Sequence, residues 1–211
     1  MNAVWQFDHT VALTFVEHAR KHIPNYDIVI DKCITLCDKF LSKDSAIIDV
    51  GCATGETLKR LNQQGFTNLT GVDSSQPMLD QCKVPARLIC SHEFPSILFD
   101  AVLCNWTLHF IRNKLDYLHE IYNHLTPDGM LVISDKTNLD PAMIDLYHKF
   151  KSNAGVSDNE ILNKAASIKD IMFINSLQWY IDTLSNIGFK NIQIIDASWC
   201  FTTILCRKTT G

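Results

Sequence analysis

Residues 47–55, IIDVGCATG, place one acidic residue directly before a glycine-rich turn. Glycine-rich turns that follow a strand often bind nucleotides, because their backbone can approach the ligand closely. The pattern D-x-G-x-A-x-G, from Asp49 to Gly55, also sets a carboxylate beside any positively charged part of such a ligand. Asp73 ends the next predicted strand, eighteen residues past Gly55, where it can accept hydrogen bonds from both hydroxyls of a ribose.

The same turn disfavours two other kinds of nucleotide site. A dinucleotide site uses G-x-G-x-x-G, and Ala53 replaces the middle glycine that approaches the pyrophosphate. A triphosphate site needs a lysine followed by serine or threonine, which this turn lacks. An NAD-dependent dehydrogenase is therefore the weaker nucleotide alternative. For Asp49 itself, the alternative role is a carboxylate that only caps a helix.

Helical patterns and short apolar segments alternate along the chain, and they must position these residues. Apolar spacing and capping residues predict helices over 11–22, 26–41 and 113–125, and a helical segment over 140–187. Ser176 is predicted to cap the last of these helices and Gly188 to end it. Short apolar runs predict strands over 46–50, 69–73, 86–90, 99–105, 130–135, 191–198 and 201–208.

This alternation predicts an α/β fold, a Rossmann-like sheet of seven strands that is mostly parallel and ends in an antiparallel strand. Such sheets bind ligands beyond the carboxyl ends of their central strands, and the glycine turn follows one of those ends. We expect a single domain, with a ligand-binding core at 43–139 and a closing strand pair at 189–211. The N-terminal helices (1–42) and the helical insert (140–188) are expected to form a lid.

The composition is that of an ordinary globular protein, with 46% apolar and 20% charged residues among 211. No apolar run is long enough to cross a membrane and no signal peptide pattern is present, so we expect a cytoplasmic location. A net charge of −4 argues against direct binding to nucleic acid. The eight cysteines form no CxxC pair, so we expect reduced thiols and no metal site.

Three motifs together resemble the class I S-adenosylmethionine-dependent methyltransferases: DVGCATG, then GVD, then FDAVLCNWTLHFI. The resemblance implies S-adenosylmethionine as cofactor and S-adenosylhomocysteine as product. It implies that Gly51 and Gly55 pass close to the methionine moiety and that Asp49 orients its ammonium group. Asp73 would bind the ribose, and Asn105 would flank the reacting sulfur. The expected cofactor-binding set is Tyr26, Asp49, Gly51, Cys52, Ala53, Gly55, Asp73, Ser74, Met78, Ser91, Asn105 and Trp106.

The segments FDHTVALTF, IPNYDIVID, HKFKSNAGVSDNEILNKA and SWCFTTILCRK resemble one branch, the carboxy-S-adenosylmethionine synthases. Those enzymes use prephenate to make a carboxylated cofactor for wobble-uridine modification in tRNA. Where that family carries a Lys-Arg pair, whose arginine grips the added carboxylate, this chain has Lys164 and Ala165. A methyl group cannot replace a bidentate guanidinium, and Lys164 should point about 100° away from its neighbour.

We therefore expect methyl transfer to a small-molecule acceptor. Carboxy-S-adenosylmethionine synthesis is the alternative, and non-catalytic binding of the cofactor is a third. A homodimer is implied by the resemblance alone. The lysines of the insert could attract an anionic acceptor, although a solvated charged face is the favoured explanation; they are Lys149, Lys151, Lys164 and Lys169.

His109 is the candidate catalytic residue, because it follows Asn105 by four residues and a neutral imidazole can deprotonate a hydroxyl or an amine. The alternative is a histidine that only packs, and the related synthases carry glutamine there. Aromatic faces near a sulfonium add attraction of about 0.5–2 kcal/mol. The candidates are Trp5, Phe7, Tyr26 and Trp106, although Trp106 is as readily explained as a core residue.

Overall fold

The protein folds around a seven-stranded sheet in a computed structural model that describes residues 7–137 and 140–209. The strands are β1 Ile47–Val50, β2 Leu69–Asp73, β3 Arg87–Cys90, β4 Phe99–Asn105, β5 Leu125–Lys136, β6 Lys190–Ser198 and β7 Phe201–Arg207. The helices are α1 His9–His22, α2 Tyr26–Phe40, α3 Glu56–Gln63, α4 Gln76–Leu79, α5 Lys114–Asn123, α6 Pro141–Asn153, α7 Asp158–Ile168 and α8 Leu177–Ile187. A short 3-10 helix covers Leu108–Phe110.

The strand order is β3-β2-β1-β4-β5-β7-β6. Among these described strands, β7 runs in the direction opposite to all the others. The predicted fold class is therefore confirmed. The winding reverses between β1 and β4, and their carboxyl ends open the crevice in which such sheets bind ligands.

Both faces of the central strands are buried, which explains why these strands are continuous apolar runs. Ile47 and Ile48 are both fully buried on neighbouring positions of β1. Ile47 packs in the cluster that contains α2 and α3, whereas Ile48 packs in the cluster that contains α5 and α8. Successive side chains of a strand point to opposite faces, so β1 supports both layers of helices.

The predicted caps of the last helix are confirmed. Ser176 Oγ accepts from the backbone N of Trp179 at 3.1 Å, and Gly188 ends α8 with a φ of +119°. Asn113 does precede α5, but its side chain donates to Asp116 and makes no cap to the backbone. The predicted start of β5 at residue 130 is wrong, since the strand already begins at Leu125, where Leu125 pairs with Phe99 before a bulge shifts the register.

Helices α1, α6 and α7 lie over the carboxyl edge of the sheet and contact one another. The Tyr147 hydroxyl on α6 donates to the backbone oxygen of His22 on α1 at 2.7 Å. Lys164 on α7 donates to His18 Nε2 on α1. None of the helices within the described residues has the length and apolarity needed to cross a bilayer.

Candidate active site

The glycine-rich turn after β1 is built from left-handed backbone. Gly51, Ala53 and Gly55 have φ values of +68°, +46° and +83°. A side chain at Gly51 would collide with Thr107, which follows β4. The turn is tied to β2, because Gly51 N donates to the oxygen of Val72 at 2.7 Å. Ala53 adopts the left-handed conformation of the turn although it is not a glycine.

The predicted cofactor residues, with the exception of Gly55, line one cavity of about 780 Å3. Gly55 is not part of this lining. A side chain there would meet Cys82, and the residue precedes the first turn of α3. Its expected approach to the methionine moiety stays a prediction. The lining also includes Cys52, Ser74, Met78 and Ser91, and the side chain of Met78 is fully buried.

Asp49 lies at the base of the cavity and is 2% exposed. Burial raises the pKa of Asp49 to about 8, with a further contribution from the charge of Asp73, while a hydrogen bond from Thr57 opposes the shift. A cation placed beside this carboxyl group would restore its ionised form. Asp49 therefore suits a ligand that carries an ammonium group.

Asp73 is held at the end of β2 by two backbone donors. Its Oδ2 accepts from the N of Ala53 at 2.9 Å, and its Oδ1 accepts from the N of Ser75 at 2.8 Å. Burial raises the pKa of Asp73, although these two bonds favour the carboxylate. Each oxygen keeps a second lone pair, so the oriented carboxylate can still accept from two ribose hydroxyls.

Asn105 and two aromatic rings form the wall beside Asp49. Asn105 is fixed by its amide, which donates to Thr57 Oγ1 at 3.4 Å. The Trp106 backbone is left-handed, with a φ of +58°, and its indole stacks on Tyr26 with ring centroids 4.8 Å apart. Both rings line the cavity, so they can face a sulfonium. Phe7 also lines the cavity, whereas Trp5 lies outside the described residues.

His109 is brought to the cavity by the 3-10 helix after β4 and is oriented by a buried carboxylate. Its Nδ1 bonds Asp135, and the Tyr180 hydroxyl donates to the other oxygen of the same carboxylate. Burial opposes ionisation of Asp135, but His109, Tyr180 and Lys114 outweigh it and lower the pKa of Asp135. An ionised Asp135 accepts a hydrogen bond from the Nδ1–H of His109, which leaves the imidazole lone pair on Nε2.

The opposite half of the cavity is cationic, and three of the four lysines that line it among the described residues were named from the sequence, whereas Lys136 was missed. Lys136, at the end of β5, and Lys151, on α6, line it together with Lys164 and Lys169. The favoured explanation of a solvated face fails for Lys151, which is 6% exposed, and holds for Lys149, which is exposed. Lys164 and Ala165 both line the cavity, so the angle between neighbouring side chains of a helix does not keep Lys164 out of it.

Comparison with known proteins identifies the family. A methyltransferase-domain family model matches residues 48–133. A carboxy-S-adenosyl-L-methionine synthase from Actinobacillus pleuropneumoniae is 31% identical over 96% of this chain and 92% of its own length. The chain belongs to the carboxy-S-adenosyl-L-methionine synthase family. A second member, from Helicobacter hepaticus, is 31% identical over 97% of this chain and 95% of its own length.

The family lies within the class I S-adenosylmethionine-dependent methyltransferases, so the protein is an enzyme of that superfamily and S-adenosylmethionine is its cofactor. A solved structure of magnesium protoporphyrin IX methyltransferase from Synechocystis PCC 6803, with bound S-adenosylhomocysteine, shares the fold. Its TM-score is 0.64 at 12% identity, over 88% of this chain and 84% of that one.

The residues of the first half of the cavity fit this cofactor. Asp49 is a buried acid that a cation would ionise, Asp73 offers two oriented oxygens, and Gly51 is required by both its backbone and its neighbour Thr107. Two stacked aromatic rings complete the wall on the side where a sulfonium would be attracted.

Proposed function

We propose that the protein transfers a methyl group from S-adenosylmethionine to a small-molecule acceptor that must lose a proton. The observation that carries this proposal is the pairing of His109 with Asp135 at the wall of the cavity. A base is useful when an O–H or N–H group attacks the methyl carbon, and of little use when a carbanion or a sulfide does.

Bound S-adenosylmethionine supplies a methyl group already activated by its sulfonium. The acceptor oxygen or nitrogen forms a bond to the methyl carbon, while the carbon–sulfur bond breaks and its electron pair stays on sulfur. His109 Nε2 takes the acceptor proton, and Asp135 stabilises the imidazolium through Nδ1. Tyr26 and Trp106 line the approach and exclude water from it.

Carboxy-S-adenosylmethionine synthesis is the second candidate function. The similarity to carboxy-S-adenosyl-L-methionine synthases favours it, as do the lysines of the cavity, which could hold an added carboxylate. Ala165 argues against it, because a methyl group lines the cavity where the family's arginine is expected. A lysine ammonium is a point charge and lacks the paired donors of a guanidinium.

Two measurements test the proposal. Mass spectrometry of the nucleoside released by the denatured protein should find S-adenosylmethionine or S-adenosylhomocysteine; a species heavier by one carboxyl group would favour the second candidate. With a panel of hydroxyl and amine acceptors, His109→Gln should lower kcat at least about tenfold with unchanged affinity for S-adenosylhomocysteine. Transfer that is equally fast in native protein and His109→Gln would contradict the assigned base.

A further inference from the structure

The cationic half of the cavity contains ammonium groups that no described carboxylate pairs with. Lys136 and Lys151 both line the cavity, and neither takes part in an ion pair among the described residues. Burial lowers the pKa of Lys151 to about 8, and the charge of Lys136 adds to the shift. Two like charges held together and desolvated favour a bound anion.

The two lysines are held on a rigid support. Both ammonium groups lie over the ring of Tyr147, with Lys151 Nζ at 4.1 Å and Lys136 Nζ at 5.1 Å from its centroid. Tyr147 is buried, and its hydroxyl is fixed by the backbone oxygen of His22 at 2.7 Å. The cations are therefore preorganised, so a ligand need not order them on binding.

A third ammonium group and a polar atom without a partner lie at the same end. Lys164 also lines the cavity, and burial followed by the charge of Lys151 lowers the pKa of Lys164 to about 8. His22 is 6% exposed, and its Nε2 has no hydrogen-bond partner among the described residues. A buried nitrogen in this condition is the kind of group that a polar ligand or an ordered water satisfies.

A metal ion is the rival occupant of this region. Ligand atoms of His18, His22 and Glu160 lie within 4.8 Å of one another. However, Lys164 donates to His18 Nε2, and burial together with the charge of Lys164 lowers the pKa of His18 to about 3. The positive charge of Lys164 acts on both His18 and His22 and also opposes a metal cation, so the charges favour an anion.

We propose that Lys136, Lys151 and Lys164 bind an oxyanion, a carboxylate or a phosphate, carried by the methyl acceptor. The identification of this ligand as the acceptor rests on the proposed function. These residues lie on β5, α6 and α7, and two of them, Lys136 and Lys151, are remote in sequence from the position at which the family's arginine is replaced. The substrate class is therefore an acid with a methylatable hydroxyl or amine.

Equilibrium titration tests the subsite without turnover. Protein saturated with S-adenosylhomocysteine is titrated by calorimetry with malonate and, separately, with inorganic phosphate. We expect binding of at least one of them, weakened at least about tenfold in Lys151→Gln and in Lys136→Gln. Lys149→Gln, an exposed lysine of the same helix, is the matched control and should bind as the native protein does. The tighter of the two anions identifies a carboxylate or a phosphate source.

A stability measurement shows whether a variant has lost anion binding only because it has unfolded. Lys151→Gln removes a buried ammonium group that has no carboxylate partner among the described residues, so this variant should have a higher Tm than the native protein when no ligand is present. Malonate or phosphate should raise the Tm of the native protein only. Affinities that are unchanged in both variants would overturn the proposal. Anion binding that is abolished by S-adenosylhomocysteine, or tight Zn2+ binding lost in His22→Ala, would overturn it as well.

Different results would contradict the oxyanion subsite and the proposed function. His109→Gln leaves the lysines in place, so it should bind malonate or phosphate as the native protein does even where transfer is slowed. Anion binding that depends on Lys151, together with no methylation of any acid tested, would contradict the proposed function and leave the oxyanion subsite standing.

Discussion

Binding of the cofactor should release a proton from Asp49, and this prediction can be developed quantitatively. Burial and the nearby charge of Asp73 raise the pKa of Asp49 to about 8 in the protein alone. At neutral pH most molecules therefore carry Asp49 as the neutral acid. The ammonium group of S-adenosylhomocysteine, placed beside it, favours the carboxylate and lowers this pKa. The group then ionises on binding and its proton leaves for the solvent.

The size of the effect follows from the pKa. With a value near 8, about 0.9 of the molecules are protonated at pH 7, so binding should release about 0.9 proton there. Affinity is proportional to the ionised fraction as long as the pKa of the complex lies below the range studied. It should then rise about ninefold between pH 6 and pH 7. The sign is fixed: affinity rises with pH and levels off above the pKa of the unliganded protein.

Calorimetry in buffers of different ionisation enthalpy counts the protons directly. The titrations are run between pH 6 and 7.5, where the ligand ammonium keeps its own proton. Asp49→Asn is the control, because an amide has nearly the shape of the neutral acid and cannot titrate. The Asp49→Asn protein should release few protons on binding, which would show that the released proton comes from Asp49 and not from Asp73. The reasoning is refuted if native protein releases no more protons than Asp49→Asn, or if its affinity falls as the pH rises.

Three further substitutions test the cavity. Asp73→Ala removes two acceptors for the ribose and should weaken S-adenosylhomocysteine at least about tenfold, so unchanged binding by calorimetry would contradict the placement of the site. Gly51→Ala forces a side chain onto Thr107 at a φ of +68° and should lower the Tm by at least about 3 °C in thermal denaturation. Gly155→Ala is the control, because φ is also positive there but no neighbouring atom would be in the way. Ala165→Arg should raise the affinity for the carboxylated cofactor relative to the ordinary one, and an unmoved ratio of the two affinities would disprove an inherited pocket.

Local patterns predicted the cofactor half of the site because that half is built locally. The turn from Asp49 to Ala53, and Asp73 at the end of β2, meet at one edge because β1 and β2 are parallel neighbours. A short sequence motif is enough when the strand order is the common one for its class. Gly55 was assigned to the ligand by the same motif, and it is the one residue of the predicted set that does not line the cavity; a side chain there would meet Cys82.

The half of the cavity that contains His109 and the lysines was predicted only in part, since its contacts join residues far apart in the chain. Asp135 reaches His109 from β5 and Tyr180 reaches Asp135 from α8, and nothing in the spacing of these residues indicates either contact. Lys151 was assigned to a solvated face by composition, yet α6 turns it inward over Tyr147. The angle of about 100° between neighbouring side chains of α7 does not remove Lys164 from the site, since Lys164 and Ala165 both line the cavity.

The two halves of the cavity lie on different stretches of the chain. The residues that match the methyltransferase-domain family model end at 133, whereas Lys136, Lys151 and Lys164 all lie beyond it. Two of these lysines belong to α6 and α7, which are not part of the sheet. Replacing those two helices would therefore change the cationic lining and leave Asp49 and Asp73 in place on β1 and β2.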